Sequence, residues 1–406
     1  MPDKLSATPP DSAPKKGLSR SAIIIGLVSL LSDASSEMIY PVLPIFLTQV
    51  LHAPATVIGL IEGVTNGTAN LVPVISGWLS DRIGRRKPIA FVGFLLSALS
   101  RPVIGLASVW GVAFAARAAD RIGKGIRSAP KQALLAEAAA DAERGRVFGF
   151  DRAMDYLGAV IGPLICLALV GGLGVGVRSI FFIASVPAFC AALMILAVRE
   201  PRDAVKAKVK GSSFKGLTRE FKLFLIVAGV FGLANSANSF LILRAQELGL
   251  ATSWTILAYA LFNAVSSLFS MPAGNASDKF GRRNVLLIGY GIYVLVYIGF
   301  GAATEVWMMW PLFALYGLFP ALADGTAKAL AVDTAGKAGR ATAIGVFSAV
   351  NGITQIAASY IGGMLWDKIN SQATFYFGAA LSAIAVVLLF LLLPARLELK
   401  EIREQA

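Results

Sequence analysis

Twelve apolar segments, each long enough to cross a bilayer as a helix, set the terms for this chain. A hydrocarbon core takes about 20 residues of helix. Such runs fall at roughly 19–50, 55–79, 88–108, 110–138, 146–170, 177–198, 220–248, 252–276, 284–303, 306–334, 340–366 and 372–394. Several contain Pro or charge, which a span tolerates where it faces protein or a watery cavity. The longest stretch without such a run carries Arg199, Arg202, Lys206, Lys208, Lys210, Lys215, Arg219 and Lys222. It reads as a linker between two groups of six spans. The expected organisation is a disordered tail (1–18), a six-helix bundle (19–198), a linker (199–219), a second bundle (220–394) and a short tail (395–406).

The net charge is +13 on a chain that is 56% hydrophobic and only 15% charged. Soluble domains average about 25% charged residues. A basic balance points either to nucleic acid or to a membrane protein with cations on its inner side. Placement decides between them. With both termini inside, 26 of the 37 Lys and Arg residues fall in cytoplasmic segments and nine within spans. Only Arg178 and Lys368 fall on the other side. This asymmetry predicts a multi-pass protein of a bacterial cytoplasmic membrane with both termini cytoplasmic. It leaves no basic patch for nucleic acid, so the expected surroundings are the lipid bilayer.

Small counts exclude much chemistry. Histidine occurs once, at His52, beside Ala53-Pro54 in an interfacial loop. The two cysteines, Cys166 and Cys190, sit inside apolar runs. No cluster exists for zinc, iron–sulfur or haem, and no Ser/His/Asp or Cys/His set can be assembled. Gly123-Lys124-Gly125 lacks the rest of a nucleotide-phosphate loop. No cofactor, no metal and no enzymatic activity are expected.

The two halves repeat. Gly77-Trp-Leu-Ser-Asp81-Arg82-Ile-Gly84-Arg85-Arg86-Lys87 returns as Gly274-Asn-Ala-Ser-Asp278-Lys279-Phe-Gly281-Arg282-Arg283-Asn284. At nearly the same offset, Asn66 matches Asn263, Glu137 matches Asp333, and Gly149 matches Gly345. Two six-helix halves in parallel repeat are an arrangement used by transporters.

The Gly-x-x-x-Asp-Arg-x-Gly-Arg-Arg-Lys run resembles the loop 2–3 signature of the major facilitator superfamily, over roughly residues 19–394. Arg121-x-x-Lys124-Gly125-x-x-x-Ala129 is similar to the helix-4 motif of its drug:proton antiporter branch, with Lys124 where that motif has Gln. Pro41-Val-Leu-Pro44 resembles the branch's helix-1 pattern. Gly158-x-x-x-Gly162-Pro163 resembles the start of the antiporter motif, without its following Gly-Gly. The resemblance implies an all-α membrane fold of 12 transmembrane helices in two pseudo-symmetric bundles, working as a monomer by alternating access. It also implies a cytoplasmic latch in which Gly77 allows close helix approach and Asp81 faces the start of helix 11. By pseudo-symmetry Asp278 would face the start of helix 5, near Gly145 and Arg146. Arg85 would pair with Glu137, and Arg282 with Asp333. A simple positive-inside anchor is the alternative reading of these loops.

Charges inside spans are costly and mark pathways or pairs. Helix 1 carries Asp33 and Glu37 one turn apart, with Tyr40 on the same face. Helix 2 aligns Glu62, Asn66 and Asn70. Helix 4 places Arg117, Asp120, Arg121, Lys124, Arg127 and Lys131 within roughly 120° of arc. Helix 5 adds Asp151, Arg152 and Asp155. In the second half, Asp33 is matched by Asn235 and Asp155 by Asn351, and Gln355 follows one turn on. Charge survives there as Arg244 and Glu247 on helix 7 and Asp324 and Lys328 on helix 10.

A carboxylate in a low-dielectric cavity holds its proton more readily, so it can act as a proton carrier. Asp33 or Glu37 is the expected carrier, with Arg121 and Lys124 as coupling partners and Glu62 and Asp155 in the same set. Substrate is expected between the halves, touching Tyr40, Asn66, Asn235, Asn263, Asn351 and Gln355. Static salt bridges holding the first bundle together are the alternative. The expected activity is proton-coupled efflux of a small organic molecule. Uptake or exchange of an organic anion or metal chelate, and a non-transporting membrane receptor, stay open.

Overall fold

The structure is a computed structural model describing residues 19–83, 85–138, 144–200, 217–336 and 340–393. Side chains at some of these positions, Asn70, Gly77 and Asp81 among them, lie outside the description. So do both tails and most of the expected linker.

Twelve helical spans follow the apolar segments to within a few residues. They are α1 (Arg20–Ile39, prolonged by a kinked segment to Val50), α2 (Ala55–Ile83), α3 (Lys87–Leu106), α4 (Trp110–Glu137), α5 (Arg144–Leu167) and α6 (Val177–Met194). The second set is α7 (Arg219–Ala234 and Ser239–Glu247), α8 (Thr252–Phe280), α9 (Arg282–Ala302), α10 (Met309–Thr334), α11 (Arg340–Lys368) and α12 (Ser371–Leu392). Ten spans are long and apolar enough to cross a membrane by length and composition. The other two, α2 and α4, hold the Glu62–Asn66 face and the six-charge stripe.

The packing repeats like the sequence. In the first half α1 packs on α5 and α6, α2 on α4, and α3 on α4 and α6. In the second, α7 packs on α11 and α12, α8 on α10, and α9 on α10 and α12. The halves meet through α2 with α11, the most extensive helix pair, and through α5 with α8. Small residues make the first contact close, because lipid supplies no hydrophobic drive and helices associate through tight packing. A Cβ added at Gly59 would run into the Ser359 carbonyl oxygen, and one at Gly363 would sit 2.5 Å from that of Ala55.

The end of the bundle away from the termini is sealed. Asp367, at the end of α11, accepts the backbone N–H groups of Ala55 (3.0 Å) and Thr56 (2.7 Å) and the Thr56 hydroxyl (2.6 Å). A carboxylate from one half thereby caps the first turn of a helix in the other, where N–H groups lack intrahelical partners. Beside it, Gln49 donates to Gln246 at 3.1 Å.

One break was not legible as such. Residues 220–248 read as a single span, but α7 leaves helical geometry over Asn235–Asn238. The interruption frees backbone groups that must find partners inside a membrane protein. Tyr293 of α9 donates to the Ala234 carbonyl at 2.8 Å, and the Tyr297 hydroxyl lies 3.2 Å from that of Ser236. The run Asn-Ser-Ala-Asn-Ser, rich in side chains that compete for backbone hydrogen bonds, is the signal that could have revealed it.

Candidate functional site

The charged stripe of α4 divides into two groups. Deep in the bundle, Arg117 stands 3.6 Å from Glu62 and 3.2 Å from Asp120, and Arg121 stands 3.7 Å from Asp120. Arg117 and Glu62 are each 1% exposed, and the Arg117 guanidinium lies 6.0 Å from the Tyr40 ring centroid. Such a set is stable only while complete, since removing one partner strands a buried charge. Two expected coupling residues, Arg121 and Glu62, are thus held in a salt-bridge network. Its centre, Arg117 with Asp120, was not among the expected site residues. Arg101 was also missed; it is buried and donates to the Ser36 hydroxyl at 3.0 Å.

The second group faces a cavity of about 210 Å³ lined by Asp33, Lys124, Arg127, Lys131, Arg152 and Asp155 among others. Lys131 lies 3.1 Å from Asp151 and 3.6 Å from Asp155. Arg127 donates to Ser97 (2.8 Å) and Ser32 (2.7 Å) with its guanidinium 4.5 Å from the Phe94 ring centroid. Of the expected coupling set, Asp33, Lys124 and Asp155 come together here.

Glu37, one turn beyond Asp33, is placed differently. It accepts a 2.9 Å hydrogen bond from Tyr259 of α8, across the interface between halves. It also stands within electrostatic reach of Lys124, Asp33 and Arg121. The Tyr259 ring stacks on Tyr40 with centroids 5.2 Å apart.

The second half holds a larger cavity of about 330 Å³. Asn235 and Asn238 enter it from the break in α7, Asp324 and Lys328 from α10, and Asn351 and Gln355 from α11. Aromatic rings form its walls, with Phe231 and Tyr290 stacked at 3.6 Å. Tyr316 donates to Asn238 at 2.8 Å.

The six expected substrate contacts divide between this cavity and other surroundings. Asn235, Asn351 and Gln355 line it. Tyr40 is taken up by Tyr259, and the Asn66 amide turns back to Glu62 at 3.5 Å, one turn away on its own helix. Asn263 sits one turn beyond Tyr259 with its amide nitrogen buried.

At the terminal end, Arg282 pairs with Asp333. The partner of Glu137 is Arg86 rather than Arg85, which is exposed. The reason is where the helices begin. Gly281, at φ 88°, turns the chain so that α9 starts at Arg282, whereas α3 starts only at Lys87, with Arg86 as its cap. The equivalent loops thus present different arginines. Asp278 is 71% exposed and stands 3.6 Å from Arg282, one turn along, while Gly145 at the start of α5 is outside the described side chains. The expected contacts of Gly77 and Asp81 lie outside the described residues.

The sequence matches the family model of the Major Facilitator Superfamily over residues 25–251 and 223–405. An uncharacterized MFS-type transporter of Methanocaldococcus jannaschii is 36% identical over 379 residues, covering 92% of this chain and 94% of that one. Multidrug resistance protein 1 of Bacillus subtilis is 27% identical over 372 residues, covering 86% and 90%. In structure, a bacterial homologue of the human lysosomal transporter Spinster, solved inward-facing and unoccupied, superposes with a TM-score of 0.76 at 16% identity, covering 96% and 99%. The chain belongs to the major facilitator superfamily, and it is an integral multi-pass membrane transporter.

Proposed function

We propose that this transporter is a proton-coupled antiporter that exports a small organic molecule by alternating access. It works as a monomer in a bacterial cytoplasmic membrane with both termini inside. The observation that carries the reading is the Glu37–Tyr259 hydrogen bond. Glu37 belongs to the half that holds the titratable groups, and Tyr259 to the half that holds the aromatic and amide cavity. A proton arriving at Glu37, or at Asp33 one turn away, changes the charge that Tyr259 donates to. It thereby changes how strongly the halves hold each other, and Lys124 and Arg121 tune when that happens. The multidrug resistance relative supports the export direction.

With the termini inside, the Asp367–Thr56 seal faces out. Arg86–Glu137 and Arg282–Asp333 brace each half at the other end. The opposite state uses the Gly77–Asp81 and Gly274–Asp278 loops as a latch, with Asp278 leaving Arg282 for the start of α5. The test is transport in proteoliposomes under an imposed pH gradient, with cationic, neutral and anionic compounds. Substrate-dependent proton movement should be lost in Asp33→Asn or Glu37→Gln. Proton movement indifferent to every compound, or unchanged in both variants, would overturn the coupling.

A further inference from the structure

Asp324 and Lys328, like Asp33 and Lys124 of the first half, are membrane-span charges that face a cavity without a close ion pair among the described residues. Arg117, Lys131 and Arg244 each stand within 3.6 Å of a carboxylate. Asp324 and Lys328 lie one turn apart on α10 and line the same cavity, and both are exposed to it. They lie within electrostatic reach of each other, but neither makes a hydrogen bond or a close ion pair among the described residues. Asp324 lies near the middle of the helix, which runs from Met309 to Thr334. An unpaired charge at that depth is tolerated while water reaches it and becomes costly once the cavity closes.

We propose that the second-half cavity binds a small zwitterion with a planar, aromatic body. Its ammonium meets Asp324, its carboxylate meets Lys328, its ring packs along the Phe231–Tyr290 wall, and Asn351 and Gln355 complete its hydrogen bonds. This rests on the transporter reading and names the class of its substrate. A ligand with a single charge would leave either Asp324 or Lys328 unpaired on closure, so discrimination comes as much from the penalty on wrong ligands as from attraction to the right one. The empty carrier has its own solution. An acid four residues before a lysine is the favourable order for a helical ion pair, so the two side chains satisfy each other when the unloaded cavity closes.

The test is binding to the purified full-length protein in lipid nanodiscs, by calorimetry and thermal shift. The probes are L-tryptophan and L-tyrosine as zwitterions, tryptophan methyl ester as the cation, and indole-3-propionate as the anion. The zwitterions should bind roughly 10- to 100-fold more tightly than either singly charged analogue, the factor expected for one unmade hydrogen bond to a charged group. Asp324→Asn should abolish the preference over indole-3-propionate, and Lys328→Gln the preference over the ester. Asp324→Glu should keep both preferences and controls for folding. Equal binding of all probes, no zwitterion bound, or preferences unchanged in the neutral variants would overturn the proposal. Proton movement driven by a cationic drug alone would then leave the transporter reading standing and this one refuted.

Discussion

The carboxylate of Asp367 accepts the backbone N–H of Thr56 at 2.7 Å, so the last turn of α11 caps the first turn of α2 across the boundary between halves. Hydrogen bonds to a charged group contribute about 1.5–3 kcal/mol each, and three converge on this carboxylate. Asp367→Ala should therefore unseal this end. In a background without Cys166 and Cys190, an impermeant thiol reagent added outside should label Asn235→Cys about tenfold faster once Asp367 is replaced, a shift of about 1.4 kcal/mol. An unchanged labelling rate would remove Asp367 from the gate.

Tyr259→Phe keeps the ring that stacks on Tyr40 and deletes only the donor to Glu37. Substrate exchange between equal pools should survive. Accumulation driven by a pH gradient should fall about tenfold, in line with the loss of one charge-assisted hydrogen bond. Equal losses in exchange and in driven accumulation would show that the hydroxyl serves binding or folding instead of coupling.

Arg117→Ala should destabilise the protein by about 3–5 kcal/mol, because Glu62 would be left as a buried, uncompensated charge and Asp120 would keep only Arg121. The readout is the unfolding midpoint in detergent. Replacing Arg117 together with Glu62, as Arg117→Met with Glu62→Gln, leaves Asp120 paired with Arg121 and should recover most of the loss. A double variant as unstable as the single one would contradict a mainly structural role for this network.

The Arg282–Asp333 pair invites a charge swap. Arg282→Glu and Asp333→Arg should each slow transport by setting like charges together, and the double variant should recover. The pair is partly exposed, so the effect on stability is expected at about 1 kcal/mol or less. The transport rate is the informative measurement. No recovery in the double variant would mean that the two residues act separately.

The number of spans and their ends could be read from the sequence because a bilayer imposes one length scale on every crossing. The internal repeat was equally plain in the paired Asp81 and Asp278 loops. Finer features were not. Whether Arg85 or Arg86 reaches Glu137 depends on where α3 begins, a difference of one residue that hydropathy does not resolve. The break in α7 was hidden because its freed carbonyl is satisfied by Tyr293, a residue about sixty positions away whose need for a partner leaves no local trace. The buried charges were visible as costly, but their division into a network around Arg117 and a cavity around Lys124 was not. The α4 stripe places all six on one face, and only the neighbouring helices assign each its partner.

The pairing of charges in the first half also bears on how the protein responds to membrane voltage. Moving one elementary charge through the field is worth about 2.3 kcal/mol per 100 mV. Arg117 and Arg121 stand with Asp120 and Glu62, and Lys131 and Arg152 with Asp151 and Asp155, two cations to two carboxylates in each set. When the half rocks, these groups move as nearly compensated sets and displace little net charge. The membrane potential then acts mainly on what the carrier picks up and releases, so under the proposed antiport the current measured per cycle reports the protons exchanged less any net charge on the substrate.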